Sequence, residues 1–351
     1  MKKLKLVVLF SLGILLFSSI TVGGLNQKST FDLEQIGFVS QANNGDGSED
    51  FYFVHITDTH VRHKMFDREE ITRKIFESVI ENVTSFDEKP AFIVITGDLV
   101  EWGGSEVSGA LNYQAFVSCL YEKDDQLYAN EDYSIPVYTT PGNHDYCFNR
   151  NLRNYHRFVD RNHVDDNDRY IVSIGNLSLF FMDSGPNYYL KPKFWIGILG
   201  AGLYDCDIEW LENELSSCSS QHKIVLMHHP AVSRRNERGR MIDVIARNRE
   251  EFVELCEAYE VDLVLVGHTH HAVVYDADEN WTKYENLPLN CSQNPTLYVQ
   301  SDDCKEGVHY RNISIVGDDI WLQGSVELNV TSVKYESVDV SDNHLVLILW
   351  N

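Results

Sequence analysis

The chain is poor in basic residues. Its 351 residues include 29 Lys and Arg against 53 Asp and Glu, which gives a formal net charge of −24. Because a surface this acidic repels a phosphate backbone, the composition disfavours long nucleic acids as partners. Small anions are not excluded in the same way, since bound metal cations would be the largest charges near a site.

Internal repeats and long Pro-rich or Gly-rich linkers are also missing. The proportions of hydrophobic (43%), charged (23%) and aromatic (12%) residues are those of an ordinary globular protein. They exclude collagen-like, coiled-coil and wholly disordered chains. At this length the chain forms either one large α/β domain or two smaller domains.

No two cysteines have the Cys-x-x-Cys spacing of a zinc ribbon or a redox motif. The seven cysteines are therefore interpreted as structural. Two disulfides that close short loops and a third pair are predicted, with Cys256 left as a buried thiol; the pairs are Cys206 with Cys218, Cys291 with Cys304, and Cys119 with Cys147. The alternative, in which all seven are reduced, stays open.

The amino terminus has the pattern of an export signal. Three lysines precede residues 6–22, which are apolar, Gly, Ser or Thr, and the small pair Gly23 and Gly24 follows. Residues 1–24 are predicted to be a signal peptide or, if uncleaved, an N-terminal membrane anchor. The polar residues 25–50 are predicted to be a flexible tether, and residues 51–351 the folded domain. The protein is thus expected to be exported: extracellular, periplasmic or tethered to the cell surface.

Short apolar runs alternate with helical patterns along the folded part. This alternation favours a layered α/β domain, classed as α+β in some schemes. The predicted strands are 51–56, 92–95, 137–139, 177–182, 224–227 and 263–266, and the predicted helices are 69–83, 207–215 and 242–259.

Polar side chains follow five of these strands. Because ligands of open α/β sheets gather at the carboxyl ends of strands, these side chains are expected to converge on one crevice. Oxygen and imidazole donors without thiolate suit Zn, Mn or Fe. The five segments are Thr57-Asp58-Thr59-His60, Thr96-Gly97-Asp98, Pro141-Gly142-Asn143-His144-Asp145, His228-His229-Pro230 and Gly267-His268-Thr269-His270.

In this order the five segments resemble the motif series of the calcineurin-like metallophosphoesterase superfamily. The resemblance covers about residues 51 to 270. It implies a β-sandwich flanked by helices in four layers. The strand-rich residues 271–351 would belong to the same domain and complete the second sheet.

The resemblance also implies the role of each site residue. The metal ligands would be Asp58, His60 and His270 for one ion, Asn143, His228 and His268 for the other, and Asp98 as a bridge between the two. The cofactor would be two divalent or mixed-valence ions of Mn, Fe or Zn. Hydroxide bound to the metals would attack phosphorus directly, and His144 would protonate the leaving group.

The residues next to the proposed ligands are assigned other roles. Strand alternation is expected to let only one of His228 and His229 face the metals, and the family pattern selects His228. Asp145 is expected to support its turn or the neighbouring histidine rather than bind metal. Purple acid phosphatases have a tyrosine ligand where this chain has Glu101, so no tyrosinate is expected at the metals.

The segment 185–204 is unusually apolar for a loop. It is interpreted as a lid over the crevice or as a hydrophobic plug packed on the domain, with the plug favoured. As a lid it would supply the weak substrate-binding candidates Tyr188, Tyr189 and Trp195.

The sequence therefore predicts a dinuclear-metal hydrolase of small phosphomonoesters or phosphodiesters. The alternative is a non-catalytic surface protein that retains the fold for binding. That alternative predicts damaged motifs, whereas the ordered series is intact.

Overall fold

A computed structural model describes residues 50–121, 135–148, 152–159, 169–185, 201–284, 286–327, 334–340 and 343–349. The predicted signal and nearly all of the tether lie outside these residues, as do Tyr188, Tyr189 and Trp195, so those assignments stay predictions. Among the described residues, no helix combines the length and the apolar character needed to cross a bilayer.

The strands of the described residues run from β1 near the amino terminus to a carboxyl-terminal hairpin. In chain order they are β1 (Phe51–Ile56), β2 (Ile93–Thr96), β3 (Val137–Thr140), β4 (Tyr170–Ile174), β5 (Leu177–Phe181), β6 (His222–Leu226), β7 (Leu263–Val266), β8 (Val273–Tyr275), β9 (Leu289–Asn290), β10 (Leu297–Gln300), β11 (His309–Val316), β12 (Asp319–Glu327), β13 (Lys334–Val340) and β14 (Asn343–Leu349).

Five α-helices are described in the same residues. They are α1 (Ile71–Ser85), α2 (Ser108–Tyr121), α3 (Arg153–Phe158), α4 (Asp205–Ser217) and α5 (Arg249–Ala258). Helices α1, α4 and α5 were predicted from sequence, although the prediction for α5 began seven residues too early.

Two mixed sheets face each other. The first has the strand order β3-β2-β1-β11-β12-β9 and the second β4-β5-β6-β7-β10-β8, while β13 and β14 form a separate hairpin. Strands β1, β2 and β3 run parallel in the first sheet. Strands β5, β6 and β7 run parallel in the second.

Alternating side chains explain why both faces of each sheet are covered. Phe53 and Val94 of the first sheet pack against Leu226 of the second, in the core between the sheets. Their sequence neighbours face outward: Val54 packs under α1 and α2, and Val225 packs against α4 and α5. Strands buried on both faces read as continuous apolar runs, as these do. The described residues thus form the predicted four layers of helix, sheet, sheet and helix.

The carboxyl-terminal strands differ from their prediction. They were expected to complete the second sheet, but β11, β12 and β9 extend the first, and only β10 and β8 extend the second. Strand β11 pairs antiparallel with β1, from Phe51 opposite Ile315 to His55 opposite Arg311.

The helix predicted over 242–259 begins only at Arg249. Its first part is held in other conformations, with left-handed backbone at Asp243 (φ 58°) and Asn248 (φ 54°). The amides of Ile245 and Ala246 bond outside any helix, to the carbonyls of Pro230 and Ala201. The apolar periodicity from which the helix was predicted does not indicate these tertiary hydrogen bonds, so the predicted start was too early.

The predicted disulfides are not present, since the structure contains no disulfide between any of the seven cysteines. Cys206 and Cys218 lie at opposite ends of α4, about 18 Å apart along the helix axis, whereas bridged Cα atoms lie within about 7 Å. Cys291 packs in the core between the sheets and Cys304 in the core under α1 and α2. Cys119 lies in that same helical layer, and Cys147 is in the turn that follows Asp145.

Candidate metal centre

The seven predicted metal ligands and His144 all lie at the carboxyl ends of parallel strands. Asp58 and His60 follow β1, Asp98 follows β2, and Asn143 and His144 follow β3; His228 follows β6, and His268 and His270 follow β7. One rim of the first sheet therefore meets one rim of the second at this point. The polar residues that follow these strands therefore lie close together, as expected from their positions at the strand ends.

One group of donors surrounds Asp58. Its Oδ1 lies 3.3 Å from Nε2 of His270 and 3.7 Å from Nε2 of His60. Both Oδ1 of Asp58 and Nε2 of His60 are buried without a hydrogen-bond partner in the described residues. Buried polar atoms are normally satisfied, so these two are suited to a bound cation.

A second group lies around His228. Its Nε2 is 3.1 Å from Oδ1 of Asn143, and ring nitrogens of His228 and His268 lie within 4.8 Å of each other. The two groups share Asp98: its Oδ2 is 3.3 Å from Nε2 of His228 and 3.6 Å from Nε2 of His60. One carboxylate oxygen thus faces a ligand candidate of each group.

The other oxygen of each carboxylate is held by hydrogen bonds. Oδ2 of Asp58 accepts from the Thr57 hydroxyl at 2.7 Å and from the His268 amide at 2.8 Å. Oδ1 of Asp98 accepts from the His144 amide at 2.7 Å. These bonds fix both carboxylates, so their remaining oxygens are aimed at the imidazoles before any ion binds.

Three imidazoles are oriented through Nδ1. An oxygen faces Nδ1 in each: the Glu101 carboxylate in His60 (3.1 Å), the Thr96 carbonyl in His228 (2.8 Å) and the Asp303 carboxylate in His270 (3.4 Å). A protonated Nδ1 leaves Nε2 as the ligand atom.

Sequence reasoning missed Glu101 and Asp303 as partners of histidines. Glu101 was noted only as a departure from the purple acid phosphatases. Asp303 lies just beyond β10, a strand that was not predicted. Recognising the apolar run at 297–299 and the Asp pair after it as a sixth strand end would have revealed it.

The backbone at the site is strained. Positive φ angles, which are rare outside glycine, occur at five of the seven predicted ligands: Asp58 (53°), His60 (44°), Asp98 (51°), His268 (68°) and His270 (53°). Such conformations persist only where the surroundings enforce them, and they cluster at functional sites.

Two glycines leave the space that the strand ends need to pack closely at the site. Gly97 has φ 82°, and a Cβ there would lie 2.6 Å from Nδ1 of His228. A Cβ on Gly142 would collide with the Asp98 carboxylate. Both glycines are therefore required for the two halves of the site to meet.

His229 lies closer to the site than expected. Strand β6 ends at Leu226, so face alternation no longer applies at the two histidines. One ring nitrogen from each of His228, His229 and His268 lies within 4.8 Å of the others. The Ser184 hydroxyl bonds Nδ1 of His229 at 2.8 Å, and the buried ring packs beside His268 at 4.4 Å between centroids.

His144 and Asp145 are neighbours in the sequence but make different contacts. Nδ1 of His144 bonds the Glu101 carbonyl at 2.9 Å, and its ring packs edge-on to His60 at 4.5 Å. Asp145 instead supports the turn, because its carboxylate accepts from the Gly142 amide at 2.8 Å and from the Tyr113 hydroxyl at 2.7 Å.

Opposite charges control the protonation of the cluster. Burial favours the neutral form of Asp98, but attraction to His228 outweighs it and holds the pKa of Asp98 below its usual range. Burial likewise opposes charge on His60 and His228, yet the neighbouring carboxylates raise their pKa values to about 10 and about 9. His268 differs: burial and repulsion from His228 lower its pKa to about 4.

Metal loading of the metal-free protein at pH 7 is expected to release at least about two protons per chain. Burial lowers the pKa of His270, but its neighbour Asp58 outweighs this and raises it overall, so this imidazole adds to the release, whereas His268 does not. The pKa values of His60 and His228, raised to about 10 and about 9, keep both imidazoles protonated at pH 7, and each must lose a proton before Nε2 can bind an ion. The release should decrease as the pH rises through 9 and 10, where the two imidazoles are neutral beforehand. Calorimetric titration in buffers of different ionisation enthalpy measures it, and no release at pH 7 would contradict these two ligands.

The chain is similar to known phosphoesterases. The calcineurin-like phosphoesterase family matches residues 51–272. A probable glycerophosphodiester phosphodiesterase of Arcobacter nitrofigilis is 25% identical over 225 residues, which cover 62% of this chain and 71% of that protein. A probable cyclic nucleotide phosphodiesterase of Psychrobacter arcticus is 27% identical over 247 residues, which cover 66% and 77%.

The fold is similar to that of solved phosphatases. A purple acid phosphatase from yellow lupin superposes with a TM-score of 0.51 at 13% identity, covering 77% of this chain and 50% of the lupin chain. The family match spans more than half of the sequence and shows that the protein belongs to the calcineurin-like phosphoesterase family. The protein is a metal-binding phosphoric ester hydrolase.

Proposed function

We propose that this protein hydrolyses small phosphodiesters, and phosphomonoesters less efficiently, with two metal ions as its cofactor. The observation that carries the proposal is the position of Asp98, whose Oδ2 lies within 3.6 Å of imidazole nitrogens from both donor groups. A carboxylate oxygen between two sets of donors suits a pair of cations better than a single ion.

The donor sets fit divalent Mn, Fe or Zn because they combine imidazole with carboxylate and amide oxygen. Asp58, His60 and His270 would hold one ion, Asn143, His228 and His268 the other, and Asp98 would contact both. Bound there, the ions would polarise a phosphoryl oxygen and lower the pKa of a water molecule.

His144 is the residue best placed to move a proton. Its Nδ1 is bonded to the Glu101 carbonyl, so Nε2 is the atom that would donate to the leaving oxygen. A leaving alkoxide is a poor leaving group without that proton. We therefore assign His144 as the general acid of the reaction.

The preference for diesters rests on the relatives. The Arcobacter protein is named as a glycerophosphodiester phosphodiesterase and the Psychrobacter protein as a cyclic nucleotide phosphodiesterase. Both names describe diesters of small molecules. The net charge of −24 makes a polymer such as DNA a poor substrate.

The proposal is tested by reconstituting metal-free protein with Mn, Fe or Zn in rising ratio. Activity on bis(4-nitrophenyl) phosphate is expected to saturate near two equivalents per chain, to exceed activity on 4-nitrophenyl phosphate, and to be absent on plasmid DNA. Saturation at one equivalent would contradict a dinuclear site. Faster monoester hydrolysis would reverse the proposed order of substrates.

A further inference from the structure

Two basic side chains contact Glu101, whose carboxylate oxygen Oε1 lies 3.7 Å from Nδ1 of His144. Nη2 of Arg62 is 3.2 Å from Oε2 of Glu101, and Nζ of Lys305 is 3.6 Å from the same oxygen. Glu101 also bonds Nδ1 of His60 through this oxygen at 3.1 Å. Three nitrogen groups therefore crowd one carboxylate oxygen.

That oxygen cannot satisfy all three nitrogen groups. A carboxylate oxygen offers about two lone-pair positions. The guanidinium presents five N–H donors, of which only Nη2 approaches Glu101, and its Nε is buried without an acceptor in the described residues. Arg62 and Lys305 thus retain donors that Glu101 does not use.

The two cations are also held in place and accessible. The guanidinium of Arg62 lies 5.6 Å from the ring centroid of Trp102, which restricts its orientation. The side chains of Arg62 and Lys305 are 29% and 27% exposed, whereas Glu101 is 11% exposed. The cations therefore cover Glu101 on its solvent side.

The two aspartates that precede Lys305 contact histidines rather than the two cations. In the loop that carries Lys305, Asp303 faces His270 at 3.4 Å and Asp302 faces His309 at 3.9 Å. Glu101 thus supplies one negative charge against two cations, and the same residue bonds Nδ1 of His144 through its backbone carbonyl. The leaving group of the proposed reaction would lie beside His144.

Resting on the proposed function, we infer that Arg62 and Lys305 form an anion subsite for the leaving group. The preferred substrates are then phosphate esters whose alcohol carries a second anionic group, such as a carboxylate. Arg62 would bind that group through its unused N–H donors and Lys305 as a point charge. The subsite determines specificity and does not take part in bond cleavage.

The test compares methyl phosphodiesters of 3-hydroxybenzoate and 3-hydroxybenzamide, which differ in charge at one ring position. Wild type is expected to have a higher kcat/KM for the carboxylate ester. Arg62→Gln and Lys305→Gln should each lower the ratio of carboxylate to carboxamide kcat/KM by about ten- to a hundredfold, since each removes a charge-assisted contact. Arg62→Lys should retain part of the preference. Lys283→Gln, which removes an exposed cation outside the site, should leave the ratio unchanged.

Two results would overturn the inference. No preference in wild type would show that the cations do not contact the leaving group. An equal loss for both esters in the variants would assign Arg62 and Lys305 to holding Glu101 alone. If metal-loaded wild type hydrolysed neither ester, the proposed function would fail instead, and binding of 3-hydroxybenzoate against 3-hydroxybenzamide by calorimetry would still decide the subsite.

Discussion

Asp98→Asn is expected to empty both metal positions and to lower kcat/KM by at least about a thousandfold, because metal ions supply several kcal/mol of charge stabilisation. The amide is neutral and presents one oxygen and one NH2 group. It cannot offer an anionic oxygen both to the ion near His60 and to the ion near His228. Metal content per chain and steady-state rates measure the two effects.

Asp276→Asn is the matched control for this substitution. Asp276 is also buried, but it follows β8 and accepts from Asn280 rather than facing the imidazole cluster. It should keep two ions and normal rates. An Asp98→Asn protein that still bound two ions would refute the bridging role, and one that lost a single ion would restrict Asp98 to one group.

His144→Gln is expected to keep both ions and to lower kcat by about 10² to 10⁴-fold, the usual contribution of a general acid. His144 is not among the proposed ligands, and the amide that bonds Asp98 belongs to the backbone and is retained. An alkyl ester should lose more than an aryl ester, because a more basic leaving group depends more on its proton. Rates on one ester of each kind, with metal analysis, provide the measurement.

His222→Gln is the control for His144. His222 is buried at the start of β6, whereas the cluster lies beyond the end of that strand. Equal losses on alkyl and aryl esters in His144→Gln would make positioning of the phosphoryl group the better role. Loss of metal would instead make His144 a ligand.

The convergence of the candidate donor groups could be predicted because it depends on a local rule. Each group follows an apolar run, and parallel strands deliver their carboxyl ends to the same rim. The positions of Asp58, Asp98 and His228 could therefore be predicted without knowing the geometry of the loops. The prediction that these groups converge did not require the position of β11, which lies between β1 and β12 in the first sheet and was not predicted from the sequence.

Three features could not be predicted, because they depend on tertiary contacts that leave no periodic pattern in the sequence. Lys305 reaches Glu101 from a loop some two hundred positions away. The start of α5 is set by bonds from Ile245 and Ala246 to distant carbonyls. The proposed pairing of Cys291 with Cys304 relied on a short loop, but the two thiols lie in different cores.

The place of β11 in the first sheet has a consequence for synthesis of the protein. Strand β1 emerges from the ribosome long before β11, yet β11 is the strand that pairs with one side of β1. Until Val316 has emerged, that side of β1 has unpaired backbone groups of the kind that recruit other chains. Strand β1 can therefore complete its pairing only late in synthesis, and we expect the growing chain to be most exposed to aggregation before that point.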